Sequence, residues 1–320
     1  MIKLGVIGAG KWGKNHLRVY SQLPVNLVGL ADIDESKKAL AEEFKTNFFS
    51  DYHRMLPLVD AVSVVVPTNL HYQVVKDALA AHRHVLVEKP VTNDSQKTKE
   101  LVELAKSSGL LLSVGYLYRF NPAVRKLKEL IAAAGTLQYI TARYIHSSNP
   151  PRRDSGAVLN LGIHMVDILN FVLDVRPKRV YCKRVNFIHP EREDSALILL
   201  DYDDFFASVE VSSCHPEKKR DAWVIAGNEK IYADFLEQQV IRFPIKVSEE
   251  EVVTGREIKE HIIKNEPLNE QLKYFVDLVE NCNNGKFSEI VNLGEEEYYT
   301  TRICELALKS AESKRDLEVE

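Results

Sequence analysis

The sequence predicts an α/β protein of two domains, and three observations predict it. The 320 residues are too many for one ordinary hydrophobic core. Over residues 1–120, apolar strand-like runs alternate with helical segments, the pattern of βαβ units and a parallel sheet. From Thr136 onward, short strands follow one another across tight-turn signals such as DYDD and GNEK, which argues for antiparallel neighbours.

The elements follow in order. KLGVIG (3–8) reads as a strand, followed by a helix from Lys11 to Leu23. NLVGLAD (26–32) leads to a helix over Ala39 to Phe44 and a short strand near Phe48. DAVSVVV (60–66) precedes a helix from His71 to Ala81. HVLVEK (84–89), a helix from Ser95 to Ser108 and LLLSVGY (110–116) complete the first half. These strands are nearly continuous in apolar character, so both faces of the sheet are covered. Asn121 is a good N-cap, Pro122 suits the first helical position and Gly135 is a stop, which predicts a helix over 122–134. Strands follow at 139–146, 179–187, 195–202, 205–213 and 222–227, with helices near 268–282 and 294–314. The domain boundary is expected at 120, giving domains 1–120 and 121–320.

Composition narrows the class. The chain is 45% hydrophobic and 28% charged, with a net charge of −4. That balance gives no electrostatic reason to expect nucleic acid or an anionic membrane as partner. The basic run EKKRD (217–221) is short and reads as a solvated loop. Cys182, Cys214, Cys282 and Cys304 are scattered, so neither a disulfide framework nor a zinc site is suggested, and a cytoplasmic setting fits. The start, MIKLGVIGAG, reads as a strand rather than a signal peptide, and no apolar run is long enough to span a bilayer.

The first turn reads Gly8-Ala9-Gly10-Lys11-Trp12-Gly13. A lone G-x-G-x-x-G is weak, but this one follows a strand and opens a helix. Asp32 stands roughly twenty residues further on, at the end of the second strand. Such glycines let the backbone approach a pyrophosphate at a helix N-terminus. Asp32 is placed to bond ribose hydroxyls and to repel a 2′-phosphate, so NAD is favoured over NADP. Capping of the turn toward Glu35 is its structural alternative. Pro67 stops the fourth strand, Thr68 or Asn69 can cap the next helix, and His71 is a cofactor-side or structural residue rather than a metal ligand. The fifth strand ends on Glu88-Lys89-Pro90 at the carboxyl edge, where ligands bind in open α/β sheets. Lys89 there can stabilise the charge that develops on a reacting hydroxyl, and Glu88 can pair with it or touch the cofactor. Pro90 fixes the backbone and allows a cis bond. The plain alternative is that Glu88 and Lys89 become solvated where the strand ends.

G-x-G-x-W-G, PTNLH, VEKP and a later G-x-H-x-x-D together resemble the Gfo/Idh/MocA oxidoreductases, over essentially the whole chain. The resemblance implies a Rossmann dinucleotide-binding domain followed by an α/β domain with an open, mainly antiparallel sheet. It further implies a catalytic Lys matching Lys89, hydride exchange with a sugar or polyol carbon, and a homo-oligomer, dimer or tetramer, built through that sheet.

In the second domain, SGAVLNLGIHMVDILNFVL (155–173) reads as a buried helix. Asn160, His164 and Asp167 stand at i, i+4 and i+7 and so share one face. Three polar groups aligned on an otherwise apolar helix point to an active-site face, although a lone histidine would more often be a satisfied core residue. By resemblance, His164 takes the proton from the substrate hydroxyl. Where relatives often carry Asp, this chain has Asn160, which orients a hydroxyl but accepts no proton. Asp167 is expected to orient His164 or to pair with a neighbouring base.

YRFNPAV and RRDSG resemble the nucleotide-sugar branch of the family, UDP-N-acetylglucosamine 3-dehydrogenases among them. Arg119, Arg152 and Arg153 are candidates for a diphosphate, with PPRRDS as a polar loop the alternative. Tyr116, closing the sixth strand, is a further substrate-side candidate. Two rival readings stay open: a dehydrogenase of a free sugar, inositol or cyclic polyol, and a non-catalytic NAD-binding sensor. A metal-dependent enzyme is a poor third, because no cluster has ligand spacing.

Overall fold

The computed structural model describes residues 1–147, 155–247, 250–284 and 295–319. The chain divides into two compact units. One comprises Met1–Tyr116 with Leu268–Thr301, the other Leu117–Pro267 with Arg302–Glu320.

In the first unit, β1 (Lys3–Ile7), β2 (Asn26–Ala31), β3 (Asn47–Phe49), β4 (Ala61–Val64), β5 (His84–Val87) and β6 (Leu112–Val114) form one parallel sheet in the order β3-β2-β1-β4-β5-β6. All carboxyl ends therefore lie along one edge, and the order reverses between β1 and β4, where such sheets bind ligands. Every residue of β4 and β5 is buried, as expected of central strands covered on both faces. The connecting helices are α1 (Lys11–Tyr20), α2 (Lys38–Glu43), α3 (Thr68–Ala80) and α4 (Ser95–Ser107). Asp94 caps α4 by accepting from the Gln96 and Lys97 N–H groups. Helix α3 starts at Thr68 rather than near His71. Its N-cap is Pro67, and neither Thr68 nor Asn69 caps it, because both already lie in its first turn.

The second unit opens with α5 (Pro122–Ile131). The Asn121 side chain accepts from the Ala123 N–H at 2.9 Å and donates to the Phe235 carbonyl at 2.9 Å, so one residue caps the helix and ties it to the strands. The sheet contains β7 (Leu137–Ser147), β8 (Arg179–Val185), β9 (Ser195–Asp201), β10 (Phe206–Ser212), β11 (Cys214–Ala226), β12 (Glu229–Asp234), β13 (Gln239–Val247), β14 (Val252–Thr254), β15 (Ile258–Lys259) and β16 (Leu317–Glu318), with α6 (Ile163–Leu173) in the β7–β8 connection. The pairing order is β14-β13-β12-β11-β7-β10-β9-β8-β16, with β15 on β13. All pairs are antiparallel except β7–β10. Burial alternates along β9, β10 and β12, so one sheet face is covered and the other open.

The last helices are α7 (Pro267–Asn283) and α8 (Glu295–Ser313). Expected within the second domain, α7 packs from Leu268 onward in the core of the first unit. Its Leu272, Phe275 and Val279 are wholly buried among residues such as Leu4, Leu17 and Leu30. Periodicity shows that a helix has an apolar face but not which core that face joins.

Candidate functional site

The glycine turn is shaped by contact. Gly8 has φ +109°, and a Cβ there would press on the Val65 carbonyl at 2.7 Å. A Cβ on Gly13 would collide with the Gly8 carbonyl, so helix α1 can lie against β1 only if residue 13 has no side chain. Gly10 is the N-cap of α1, with no side-chain cap and no acid in the first turn. The leading N–H groups of the helix, beginning at exposed Lys11, thus have no side-chain cap at Gly10 and no acid within their own turn. Trp12 is partly buried against the core.

Asp32 accepts from the Ala9 N–H at 2.6 Å and from the Asp34 N–H at 2.9 Å, which ties the end of β2 to the glycine turn. The short helical turn at Glu35 is capped by Asp34, not by Asp32. These residues fit a dinucleotide: an open helix N-terminus for the pyrophosphate, with an acid at the neighbouring strand end for the ribose.

Beyond β5, Glu88 and Lys89 are each only 6% exposed. They do not run out into solvent. The Glu88 carboxylate meets His16 Nε2 at 3.3 Å and accepts from the Lys89 N–H at 3.2 Å. Burial pushes its pKa up, while the His16 hydrogen bond and the charges of His16 and Lys89 pull it down, and the balance lies below the usual carboxylate range. A Cβ on Gly115 would meet this carboxylate at 2.9 Å, so β6 leaves room for it. The Lys89–Pro90 bond is cis. His71, 1% exposed, places Nδ1 at 2.8 Å from the Pro90 carbonyl and Nε2 at 2.9 Å from that of Val66. The ring thereby braces the ends of β4 and β5; burial lowers its pKa against the pull of these carbonyls. Tyr116 is 1% exposed at the end of this unit.

In the second unit, residues 155–173 are not a uniform α-helix. Val158–Gly162 form a π turn that runs into α6. A π turn is wider than an α turn, so the spacing from Asn160 to His164 is not that of a regular α-helix. Asn160 lines a shallow recess together with Ser155, His189 and Arg192. Glu193 fixes the start of this helix by accepting from the Val158 N–H at 2.9 Å.

His164, 6% exposed, lies between two tyrosines. Tyr118 meets it edge-on at 5.2 Å between centroids, and Tyr144 is stacked on it at 5.5 Å. Arg220 donates from Nη1 to the Tyr118 hydroxyl at 2.9 Å, and its Cζ lies 4.5 Å from the centre of the Tyr144 ring. Burial raises the Tyr118 pKa well above the usual phenol value, so the hydroxyl stays protonated. Asp167 is wholly buried. Arg119 donates to its Oδ1 from Nε at 2.9 Å and from Nη2 at 2.5 Å. The guanidinium expected to reach a diphosphate thus has two donors committed to Asp167. Arg152 and Arg153 lie outside the described residues.

The sequence reading missed His16, Tyr118, Tyr144 and Arg220, and took EKKRD for a solvated loop. In the structure that run lies within β11. Asp221 is 1% exposed and holds Arg143 through two bonds, at 2.9 and 2.6 Å. The partners of Arg220 and Asp221 come from residues far along the chain, which a local charge pattern does not reveal. Among the described residues no group of three or more His, Cys, Asp or Glu could hold a metal ion, and no helix is long and apolar enough to cross a membrane.

Sheet order, glycine turn and appended antiparallel sheet define a protein of the Rossmann dinucleotide-binding class. Residues 2–116 match the oxidoreductase family with an NAD-binding Rossmann fold, and residues 124–233 match the GFO/IDH/MocA C-terminal domain. The chain belongs to the Gfo/Idh/MocA oxidoreductase family. It is 30% identical over 222 residues to the uncharacterized oxidoreductase YrbE of Bacillus subtilis, covering 63% of this chain and 64% of that one. It is 31% identical over 177 residues to UDP-N-acetylglucosamine 3-dehydrogenase of Acidithiobacillus ferrooxidans, covering 55% and 56%. The chain thus spans less than two thirds of the length of these curated relatives. The solved structure of UDP-N-acetylglucosamine 3-dehydrogenase GnnA from Acidithiobacillus ferrooxidans is similar over 98% of both chains, with a TM-score of 0.85 at 23% identity, a likeness of fold.

Proposed function

We propose that this chain is an NAD-dependent dehydrogenase of sugars or polyols that exchanges hydride between nicotinamide and a secondary hydroxyl, with a nucleotide sugar of the UDP-N-acetylglucosamine type, oxidised at C3, as its substrate. The observation that carries the reading is Lys89, buried with Glu88 beyond β5 at the carboxyl edge of a parallel sheet whose first turn fits a dinucleotide. A lysine kept out of solvent at that edge stands where ligands bind in such sheets. The first strand turn, with Gly8, Gly10 and Gly13, and Asp32 hold the cofactor; NAD is preferred to NADP because of the Asp32 charge. NAD supplies the hydride acceptor. Lys89 donates a hydrogen bond to the reacting oxygen and stabilises its developing charge. His164 takes the hydroxyl proton, the general-base role for which imidazole is the commonest side chain. Asn160 orients the sugar, and Arg152 and Arg153 remain candidates for the diphosphate.

The test is a substrate panel under NAD with a ketone trap, following reduced nicotinamide absorbance. UDP-N-acetylglucosamine, its uronate, glucose and myo-inositol are compared. Signal with the UDP-sugars alone supports the nucleotide branch. Signal with glucose or inositol keeps the chemistry and discards the nucleotide. NAD binding without turnover of anything in the panel counts against the dehydrogenase reading and for a sensor.

The same reading places the protein in the cytoplasm as a homo-oligomer. The open sheet face supports the second point: Leu197 is 52% exposed and Phe206 44%, with Tyr139 stacked on Phe206 at 5.6 Å and Leu199 in register with Tyr181 on the neighbouring strand. Exposed apolar side chains on an open sheet face are usual at a subunit interface. Leu197→Arg is expected to shift the light-scattering mass toward that of a single chain. An oligomeric mass unchanged by the substitution removes this face as the interface, and a wild-type chain that is already monomeric removes the oligomer.

A further inference from the structure

Arg119, Arg143, Arg179, Arg184 and Arg242 of the second unit each meet a carboxylate. Arg220 meets none among the described residues. Its partners are the Tyr118 hydroxyl and the face of the Tyr144 ring, and its Nε is buried without an acceptor. The neighbouring Asp221 carboxylate is turned to Arg143 and to the Tyr232 hydroxyl. A partly buried cation with a phenol, a ring face and one unsatisfied donor is incompletely compensated by the protein itself. Cation–π contact offsets part of the lost hydration but supplies no negative charge.

The location gives this a use. Both rings that hold Arg220 also touch His164, so the guanidinium stands behind the same two tyrosines that frame the imidazole. We infer that Arg220 is a specificity residue that binds an anionic group of the substrate, a carboxylate or phosphate on the sugar or its diphosphate, while the sugar itself lies at His164. A carboxylate or phosphate oxygen accepts from the Nη1 and Nη2 N–H groups that the Tyr118 bond does not use, an end-on fork of the kind in which arginine binds such groups well. Tyr118 and Tyr144 position the guanidinium and exclude water from its inner side. The inference rests on the reading of His164 as part of the sugar site, and it adds that a neutral sugar leaves one donor of that site unmatched.

The test measures binding by calorimetry on the full chain saturated with NAD, with glucose, glucuronate, glucose 6-phosphate and UDP-N-acetylglucosamine as probes. Wild-type protein is expected to bind at least one charged probe about 10- to 100-fold more tightly than glucose, the gain typical of a charge-assisted hydrogen bond. Arg220→Met is expected to remove that margin and Arg220→Lys to keep part of it. Which probe shows the margin identifies the source: ring carboxylate, ring phosphate or diphosphate. Arg179→Met, which breaks an ion pair between β8 and β9, is the control and should preserve the margin. Thermal melting of each variant, and NAD affinity, report that it is folded. Should Arg220→Met not fold, the Lys variant decides, since a full margin there contradicts recognition by the guanidinium fork. A margin unchanged in Arg220→Met, or no charged probe bound better than glucose by the wild type, overturns the inference. Failure of the dehydrogenase reading looks different: the margin is lost in Arg220→Met, yet no probe yields reduced nicotinamide.

Discussion

Lys89→Met is expected to lower kcat by about 10²- to 10³-fold, the usual loss when one donor to a developing oxyanion is removed, while the dissociation constant for NAD stays near that of the wild-type chain. The methionine keeps the length and apolar bulk of the lysine stem, so a site only 6% exposed is refilled rather than emptied. The surroundings of Glu88 should hold as well. Its carboxylate keeps the bond to His16 Nε2, and its bond from residue 89 is made by the backbone N–H, which the substitution retains. What disappears is the ammonium, and with it one of the charges that holds the Glu88 pKa down. Single-turnover kinetics with NAD at saturation separate chemistry from binding. Turnover close to wild type would remove Lys89 from the mechanism and return Glu88-Lys89 to a structural role. A loss of NAD affinity as large as the loss of kcat would make it a cofactor ligand instead.

Much of this site was legible because it is local. A glycine turn between strand and helix, an acid at the next strand end, and a Glu-Lys-Pro run ending a buried strand each sit within a few residues, and short-range sterics fix them. Gly8 needs its positive φ and Gly13 its missing Cβ for reasons that hold wherever a helix follows a strand this tightly. The pairings were not legible. His16 lies 72 residues from Glu88, Arg119 lies 48 from Asp167, and Arg220 lies 102 from Tyr118. Nothing in a local pattern says which carboxylate will meet which cation across a fold. The π turn at Val158–Gly162 escaped for another reason: it is stabilised by Glu193, brought in from a later segment, while its own sequence has ordinary α-helical periodicity. The return of α7 to the first unit is the same lesson at the scale of a helix.

The Arg119–Asp167 pair carries the other large expectation. Arg119→Met is expected to destabilise the second unit by about 3–5 kcal/mol, because it leaves a carboxylate with no exposed surface deprived of its guanidinium. For a unit of this size that corresponds to a fall in Tm of roughly ten degrees. Replacing both partners, Arg119→Met with Asp167→Leu, should recover most of the loss, since a buried ion pair is often no more stable than the apolar pair that fits the same space. That non-additivity is what separates a structural pair from two binding residues. Two side chains that each touched a ligand would leave Tm nearly unchanged when substituted singly and would lower affinity for a UDP-sugar instead. The geometry favours the first outcome: two donors converge on one oxygen of Asp167 on α6, one turn beyond His164, so the pair holds the very helix that carries the imidazole. Arg119 then acts on catalysis only through the placement of His164. A single Arg119→Met chain with wild-type Tm and a UDP-sugar affinity reduced by an order of magnitude would reverse this assignment and restore Arg119 to the diphosphate.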